Sequence, residues 1–437
     1  MGCLAKQFFK PKATGEVDLD HEISSFFLIL VLALMGLAFL FNTPTEIWTG
    51  SIIILTSPAN LITDYFALAN IGATLMNAGF MTLTSLVLVR VHQVKMTGAI
   101  VAAIFTVAGF SFFGKNIYNS IPIILGVMLY ARIVRLPFNR FVLQALFGTA
   151  LGPLPSEITF NLGLPLAPGL ILGFSAGILA GLVLPPLSAH FLRFHQGFSL
   201  YNIGFTAGIV GMFFLAVLQG FGIEITTVAI VSSGNDLVLA VILGTLFTGM
   251  LLFGLKKNNW RLTGYRQFLD QPGKLASDFI TISGAPLTLV NMAFLGLMAT
   301  AYVLAVGGEL SGPAIGGIFT VVGFGAFGKH VKNVWPILAG VFLGNLFRFN
   351  DLNATTSLLA ALFGTTLAPI AGYYGPLYGI VAGMLHMAMV SNISYLHAGM
   401  NLYNNGFSGG FIAAALVPLF DAFKQVLSDR KETRDHE

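Results

Sequence analysis

Two lysines close matched glycine-rich runs. Lys115 ends the run Gly-Phe-Ser-Phe-Phe-Gly-Lys that starts at Gly109, and Lys329 ends Gly-Phe-Gly-Ala-Phe-Gly-Lys from Gly323. Asn119 and Asn333 stand four residues further on, followed by Pro122 and Pro336. An ammonium beside free backbone amides suits an anionic or strongly polar group. The competing reading is a lysine at a helix C-terminus, favoured by the helix dipole and reaching an interface with its charge. The spacing Gly-x-x-x-x-Gly-Lys imitates a nucleotide-binding loop. However, Asn116 and His330 occupy the position where Ser or Thr would ligate magnesium, and no strand precedes either run. Nucleotide hydrolysis is excluded on those grounds.

Other polar residues recur in pairs. Asp64 and Asp278 open matched segments, with Asn77 and Asn291 thirteen residues deeper. An acid in a cavity can bind a coupling proton or sodium ion, whereas Asp at a first helical turn satisfies free amides. The buried asparagines either join helices or line a site. A third signature, His-x-Gly-x-x-Leu-Tyr-Asn-x-Gly-Phe-x-x-Gly, occurs at His195–Gly208 and His397–Gly410. Its Tyr201, Asn202, Tyr403 and Asn404 suit a hydroxyl-rich or amide solute, while its small residues four apart permit close helix contact. His386 lies in an apolar span without a counterpart, either as a proton relay or bonded to a neighbouring helix. No metal-binding or nucleophile motif is present, so neither a cofactor nor an enzymatic reaction is expected.

These residues belong to a doubled chain. Residues 98–126 and 312–340 align without a gap at an offset of 214 and share 14 of 29 residues. LFGTALGP at 146–153 returns as LFGTTLAP at 362–369. Apolar residues form 56% of the 437-residue chain and charged residues 9%, far below the roughly 25% charge of soluble domains. The class is therefore all-α, a polytopic transmembrane bundle with the lipid bilayer as its main partner. The net charge of +4 gives no reason to expect nucleic acid, because its placement explains it better. Lone Cys3 excludes an intrachain disulfide framework, and Lys6 replaces the Ser or Thr of an acylation signal. The acids Glu16, Asp18, Asp20 and Glu22 before the first apolar run argue against a cleaved signal.

Candidate spans lie near 25–42, 61–89, 98–113, 119–134, 139–153, 167–187 and 200–222. They recur near 235–255, 284–306, 311–327, 333–348, 354–370, 372–391 and 402–421. With both termini cytoplasmic, 20 of 22 Lys and Arg residues, among them Lys6, Lys10 and Lys12, fall on the cytoplasmic side, leaving Lys115 and Arg348 outside. Seven segments per half is odd, so the repeats are read as inverted. The chain divides into an N-terminal segment (1–24), a first repeat (25–223), a second repeat (235–421) and a C-terminal tail (422–437). Residues 98–134 and 312–348 form either two short spans each or a re-entrant hairpin tipped by Phe-Gly-Lys. Ten extra residues between Pro153 and Gly173 mark a tolerant surface loop there.

The doubled Phe-Gly-Lys and Leu-Tyr-Asn-x-Gly-Phe signatures resemble those of a bacterial family of polytopic membrane proteins carried as a domain of unknown function. That resemblance implies a bacterial inner membrane and supplies neither substrate nor functional residues. The seven-plus-seven count is similar to nucleobase and sulfate permeases, at the level of fold only. The expected function is a secondary-active permease for a small polar or anionic solute, with or without a coupled proton or sodium ion, as a monomer or oligomer. A passive channel is the alternative, and a membrane enzyme or scaffold a third class.

Overall fold

A computed structural model describes residues 16–225, 227–275, 277–347 and 351–435. Cys3, Lys6, Lys10, Lys12 and Arg348 lie outside them. The first half forms α1 (Glu16–Phe41), α2 (Pro44–Thr56), the two-residue strand β1 (Ile62–Thr63), α3 (Tyr65–Leu68), α4 (Ile71–Val91) and α5 (Gly98–Phe110). It continues with α6 (Ile117–Ile133), α7 (Val142–Gly148), α8 (Pro153–Phe160), α9 (Leu166–Phe191) and α10 (Asn202–Gly220). A linker carries β2 (Ala229–Ile230). The second half then forms α11 (Asp236–Lys257), α12 (Tyr265–Leu269), α13 (Phe279–Ser283), α14 (Ala285–Ala305) and α15 (Gly312–Gly323). It closes with α16 (Val331–Leu346), α17 (Thr355–Gly364), α18 (Ala368–Tyr374), α19 (Pro376–Val390) and α20 (Asn404–Asp435).

Among the described residues, eight helical stretches, such as Ile71–Val91 and Ala285–Ala305, are long and apolar enough to cross a membrane. The outward faces of α1 and α11 are also apolar. Ile29, Leu32 and Leu40 are exposed on one, Leu237, Val241 and Leu252 on the other. A helix apolar all round, with only part of its girth packed on protein, belongs in hydrocarbon rather than water. The fold is a multi-pass helical membrane bundle.

The sequence repeat becomes a repeat of local structure. α4 and α14 begin and end 214 residues apart, and 3₁₀ turns at 149–151 and 365–367 interrupt the same point of each half. Thr97 caps α5 and Ser311 caps α15, each accepting from the amide three residues on. At the heads of α6 and α16, Asn116 with Asn119 and His330 with Asn333 close reciprocal capping boxes. Those boxes start α6 at Ile117 and α16 at Val331, two residues earlier than apolar content alone places them.

Some elements differ from expectation. α2 was not foreseen; Thr43 and Glu46 form a capping box and Pro44 opens the helix, signals that hydropathy does not weigh. The expected span 139–153 is α7, a 3₁₀ turn and α8, broken around Gly148 and Gly152. The ten-residue insertion falls in the loop at 161–165 and in the start of α9, longer than α19. The Phe-Gly-Lys junction is not the tip of a side-by-side hairpin. α5 packs chiefly on α15 and α6 on α9, and the second half does likewise, with α16 on α19. Thirteen residues of α5 span about 20 Å at 1.5 Å each, short of a bilayer core of about 30 Å. Each junction is a break between two helices whose principal neighbours differ.

At the centre, α5 and α15 meet through glycines in reciprocal contacts. Gly109 abuts the Gly316 carbonyl and Phe319, and Gly323 abuts the Ala102 carbonyl and Phe105. Gly208 of α10 lies on the Phe407 ring and Gly410 of α20 on the Phe205 ring. In each case residue i of one half meets residue j of the other, and the counterparts meet in return, as across a two-fold interface. The absent Cβ atoms bring the helices this close.

Candidate functional site

The helix breaks at the two lysines are built from asparagine side chains. Gly114 and Gly328 turn the chain with φ of +68° and +96°, a region that glycine enters without a Cβ clash. Phe113 pairs with Asp64 in a single antiparallel bridge, and Phe327 pairs with Asp278 in the same way. The carbonyls freed by each break need donors. Asn77 Nδ2 donates to Ser111 O at 2.7 Å and Lys115 O at 2.9 Å; Asn291 Nδ2 donates to Gly325 O and Lys329 O, both at 2.8 Å. Asn119 Nδ2 reaches Gly114 O at 3.0 Å, and Asn333 Nδ2 reaches Gly328 O at 2.9 Å. These four sequence-selected asparagines hold the two breaks open.

Both lysines are then fully buried. Around them lies a core of six rings drawn from both halves. Tyr201 and Tyr403 meet at 5.1 Å between centroids. Phe110 sits 4.6 Å from Tyr403, and its counterpart Phe324 sits 4.7 Å from Tyr201. Phe363 lies 5.5 Å from Phe110, and Phe147 lies 5.7 Å from Phe324. Lys115 Nζ stands 5.1 Å from the Phe110 centroid, and Lys329 Nζ stands 5.1 Å from the Phe324 centroid. Cation–π attraction at this range is worth about 0.5–2 kcal/mol, more when desolvated, and cannot replace a hydrogen-bond shell.

The ammonium groups differ in what they bond. Lys329 Nζ donates to Tyr201 OH at 2.5 Å and Thr365 Oγ1 at 2.6 Å. Lys115 Nζ has no hydrogen-bond partner, and the neighbouring Tyr403 and Thr106 hydroxyls have only each other. Ion pairs among the described residues join Lys257 to Glu22 and Lys332 to Asp270, so neither buried lysine has a carboxylate in contact.

A family described as "Protein of unknown function (DUF1576)" matches residues 43–220 and 257–422. The chain belongs to this family. No curated protein and no solved structure matches it. The two stretches that match DUF1576 begin at counterpart positions, 214 apart, and end at counterpart positions, 202 apart. Each of the two matched stretches carries one of the lysines.

The other candidate residues of this DUF1576 chain are placed around that core. Asp64 caps α3 through Phe66 N at 2.9 Å, and also accepts from Ser232 N and Oγ at 2.9 and 2.6 Å and from Gly312 N at 3.1 Å. Asp278 caps α13 through Ile280 N and Thr281 N and accepts from Gly98 N at 3.0 Å. Each aspartate thus ties its own half to the head of α5 or α15 of the other half. Parallel pairing of β1 with β2 brings Ser232 onto Asp64 and makes the first half the more sealed. His195 Nε2 and His397 Nε2 donate to Asn202 Oδ1 and Asn404 Oδ1, each at 3.0 Å. His386 bonds Asn405 at 3.0 Å and Ser408 at 3.3 Å, so it braces α19 against α20.

Sequence reasoning overlooked Thr365, Thr149, Phe147 and Phe363, although all four lie in the doubled LFGT motif. It also overlooked Glu157, which is 1% exposed and bonded to Asn60 Nδ2 at 2.9 Å. Its counterpart position is Tyr373, so a search for paired residues could not find it. Among the described residues no group of three His, Cys, Asp or Glu converges for a metal. A small apolar cleft of about 50 Å³ lies away from the lysines, between α1, α11 and α14, and is lined by Phe26, Phe253 and Met292.

Proposed function

We propose that this protein is a secondary-active permease for a small polar or anionic solute, with alternating access around the Lys115–Lys329 core. One observation carries the reading: two fully buried lysines, without carboxylate partners, face an aromatic core to which both halves contribute. A buried unpaired charge costs several kcal/mol, and such a cost is retained where it serves function. The reciprocal contacts of α5 with α15 and α10 with α20 support two inverted repeats of seven membrane segments each, about fourteen in all. The charge distribution supports cytoplasmic termini, and the family resemblance supports the inner membrane of a bacterium.

A carrier fits better than a channel because the six rings are packed against one another and close the centre. A carrier needs one site reached from either side in turn, not a continuous opening. Helix breaks on both flanks of such a site give each half an element that can move against its neighbours. The test is uptake into proteoliposomes holding purified protein. A transported solute gives saturating flux and counterflow; flux that rises linearly with concentration and shows no counterflow is the channel result.

A further inference from the structure

The two half-sites share a scaffold and differ in engagement. Lys115 and Lys329 stand at the same 5.1 Å from matched phenylalanines, which themselves stand 4.6 and 4.7 Å from matched tyrosines. Around Lys329 the three polar groups are bonded: Lys329 Nζ to Tyr201 OH and Thr365 Oγ1, and Thr320 Oγ1 to Gly316 O at 2.8 Å. Around Lys115 the counterparts lack such bonds: Lys115 Nζ has no partner, and the Tyr403 and Thr106 hydroxyls have only each other. All three residues are at most 1% exposed. They also lie together. Thr106 and Phe110 are four residues apart on one face of α5, Tyr403 meets Phe110 edge to face, and Lys115 Nζ stands over the same Phe110 ring.

An unpartnered ammonium and a hydroxyl pair set around one ring, none of them facing a carboxylate, specify an acceptor with negative charge. We infer that the Lys115 half-site binds a small monovalent oxyanion, of monocarboxylate or nitrate size. It accepts from Lys115 Nζ with one oxygen and from the Tyr403–Thr106 hydroxyl pair with another. The Lys329 half-site is the self-satisfied form, in which Tyr201 and Thr365 supply the acceptor oxygens that the anion supplies to Lys115. Phe110, Phe363 and Tyr403 pack ring against ring at 4.6–6.3 Å between centroids, so the ligand must be small. This inference rests on the permease reading for what becomes of the anion, not for its binding.

The experiment is a thermal-unfolding titration of the purified full chain with formate, acetate, nitrate and phosphate at constant ionic strength, with urea and glycerol as neutral probes. Saturable stabilisation by formate, acetate or nitrate is expected, and little by the neutral probes. Lys115→Met should weaken that binding at least about tenfold, the scale of losing a charge-assisted hydrogen bond, and Tyr403→Phe and Thr106→Val by less. Lys329→Met should bind the anion nearly as the wild type does and fail in flux. Met keeps the apolar stem and removes an unpaired charge, so Lys115→Met is expected to purify folded. The inference is overturned if no oxyanion gives a saturable effect, if Lys115→Met binds as the wild type does, or if both lysine variants lose binding equally. Counterflow of a neutral solute would retain the permease and remove the anion; anion binding without flux would do the reverse.

Discussion

The Lys329 ammonium donates to the Tyr201 hydroxyl at 2.5 Å, and this bond joins the second half of the chain to the first. Its counterpart, Lys115 with Tyr403, makes no such bond. Removing the Tyr201 hydroxyl leaves Lys329 with Thr365 alone. Tyr201→Phe should therefore destabilise the protein by about 1–3 kcal/mol. Tyr403→Phe, which takes no bond from an ammonium, should cost less. Thermal unfolding of both variants in one detergent checks the order; equal losses would mean the two half-sites are equivalent.

Asp64 accepts four hydrogen bonds, from Phe66, Gly312 and both groups of Ser232. Asp64→Ala leaves those donors buried and should cost more than about 3 kcal/mol, since bonds to a charged acceptor contribute roughly 1.5–3 kcal/mol each. Asp278 is half-buried and accepts three. Asp278→Ala should be milder. Folded yield and unfolding temperature separate this from a coupling-ion role. An Asp64→Asn protein of native stability that had lost ion dependence of uptake would contradict the capping account.

How far these arrangements can be read from the sequence follows from what hydropathy and doubling register. The doubling identified the lysine runs, the aspartates, the asparagines and the tyrosines, because each occurs twice at a fixed offset. It could not say that Asn77 spends its amide on Ser111 and Lys115 carbonyls, since that depends on where a helix breaks. Nor could it tell that Lys115 and Lys329 differ, because a matched lysine gives no sign of unequal engagement. Helix α2 was missed because a capped 13-residue helix is too short to register as a span. Glu157 was missed because it has no pair.

The glycines at the contact of the halves test the reciprocal packing. A Cβ on Gly98 would fall 2.0 Å from the Ala326 carbonyl, and one on Gly312 would fall 2.5 Å from the Phe112 carbonyl. Gly98→Ala and Gly312→Ala should each destabilise by about 1–3 kcal/mol, as overpacking against backbone does. Gly36, with nothing within 4 Å, should accept Ala without loss. Unfolding temperatures of the three variants would show whether the two contacts are matched.

Orientation can be tested apart from transport. Reporter fusions after residues 257 and 426 should both report the cytoplasm, because the Lys256–Lys274 stretch and the C-terminal tail are assigned to one side. A reporter placing Lys256 outside would remove the inverted arrangement.

The most direct measurement of alternating access is the reactivity of single cysteines at positions 115 and 329, in a background lacking Cys3, toward an impermeant thiol reagent applied from either side. Both lysines are fully buried, so labelling should be slow at each position. Conditions or solutes that raise reactivity at one position from one side should lower it at the other from the opposite side. Rapid labelling of both positions at once, unaffected by any solute, would contradict the account and leave the lysines as interface anchors.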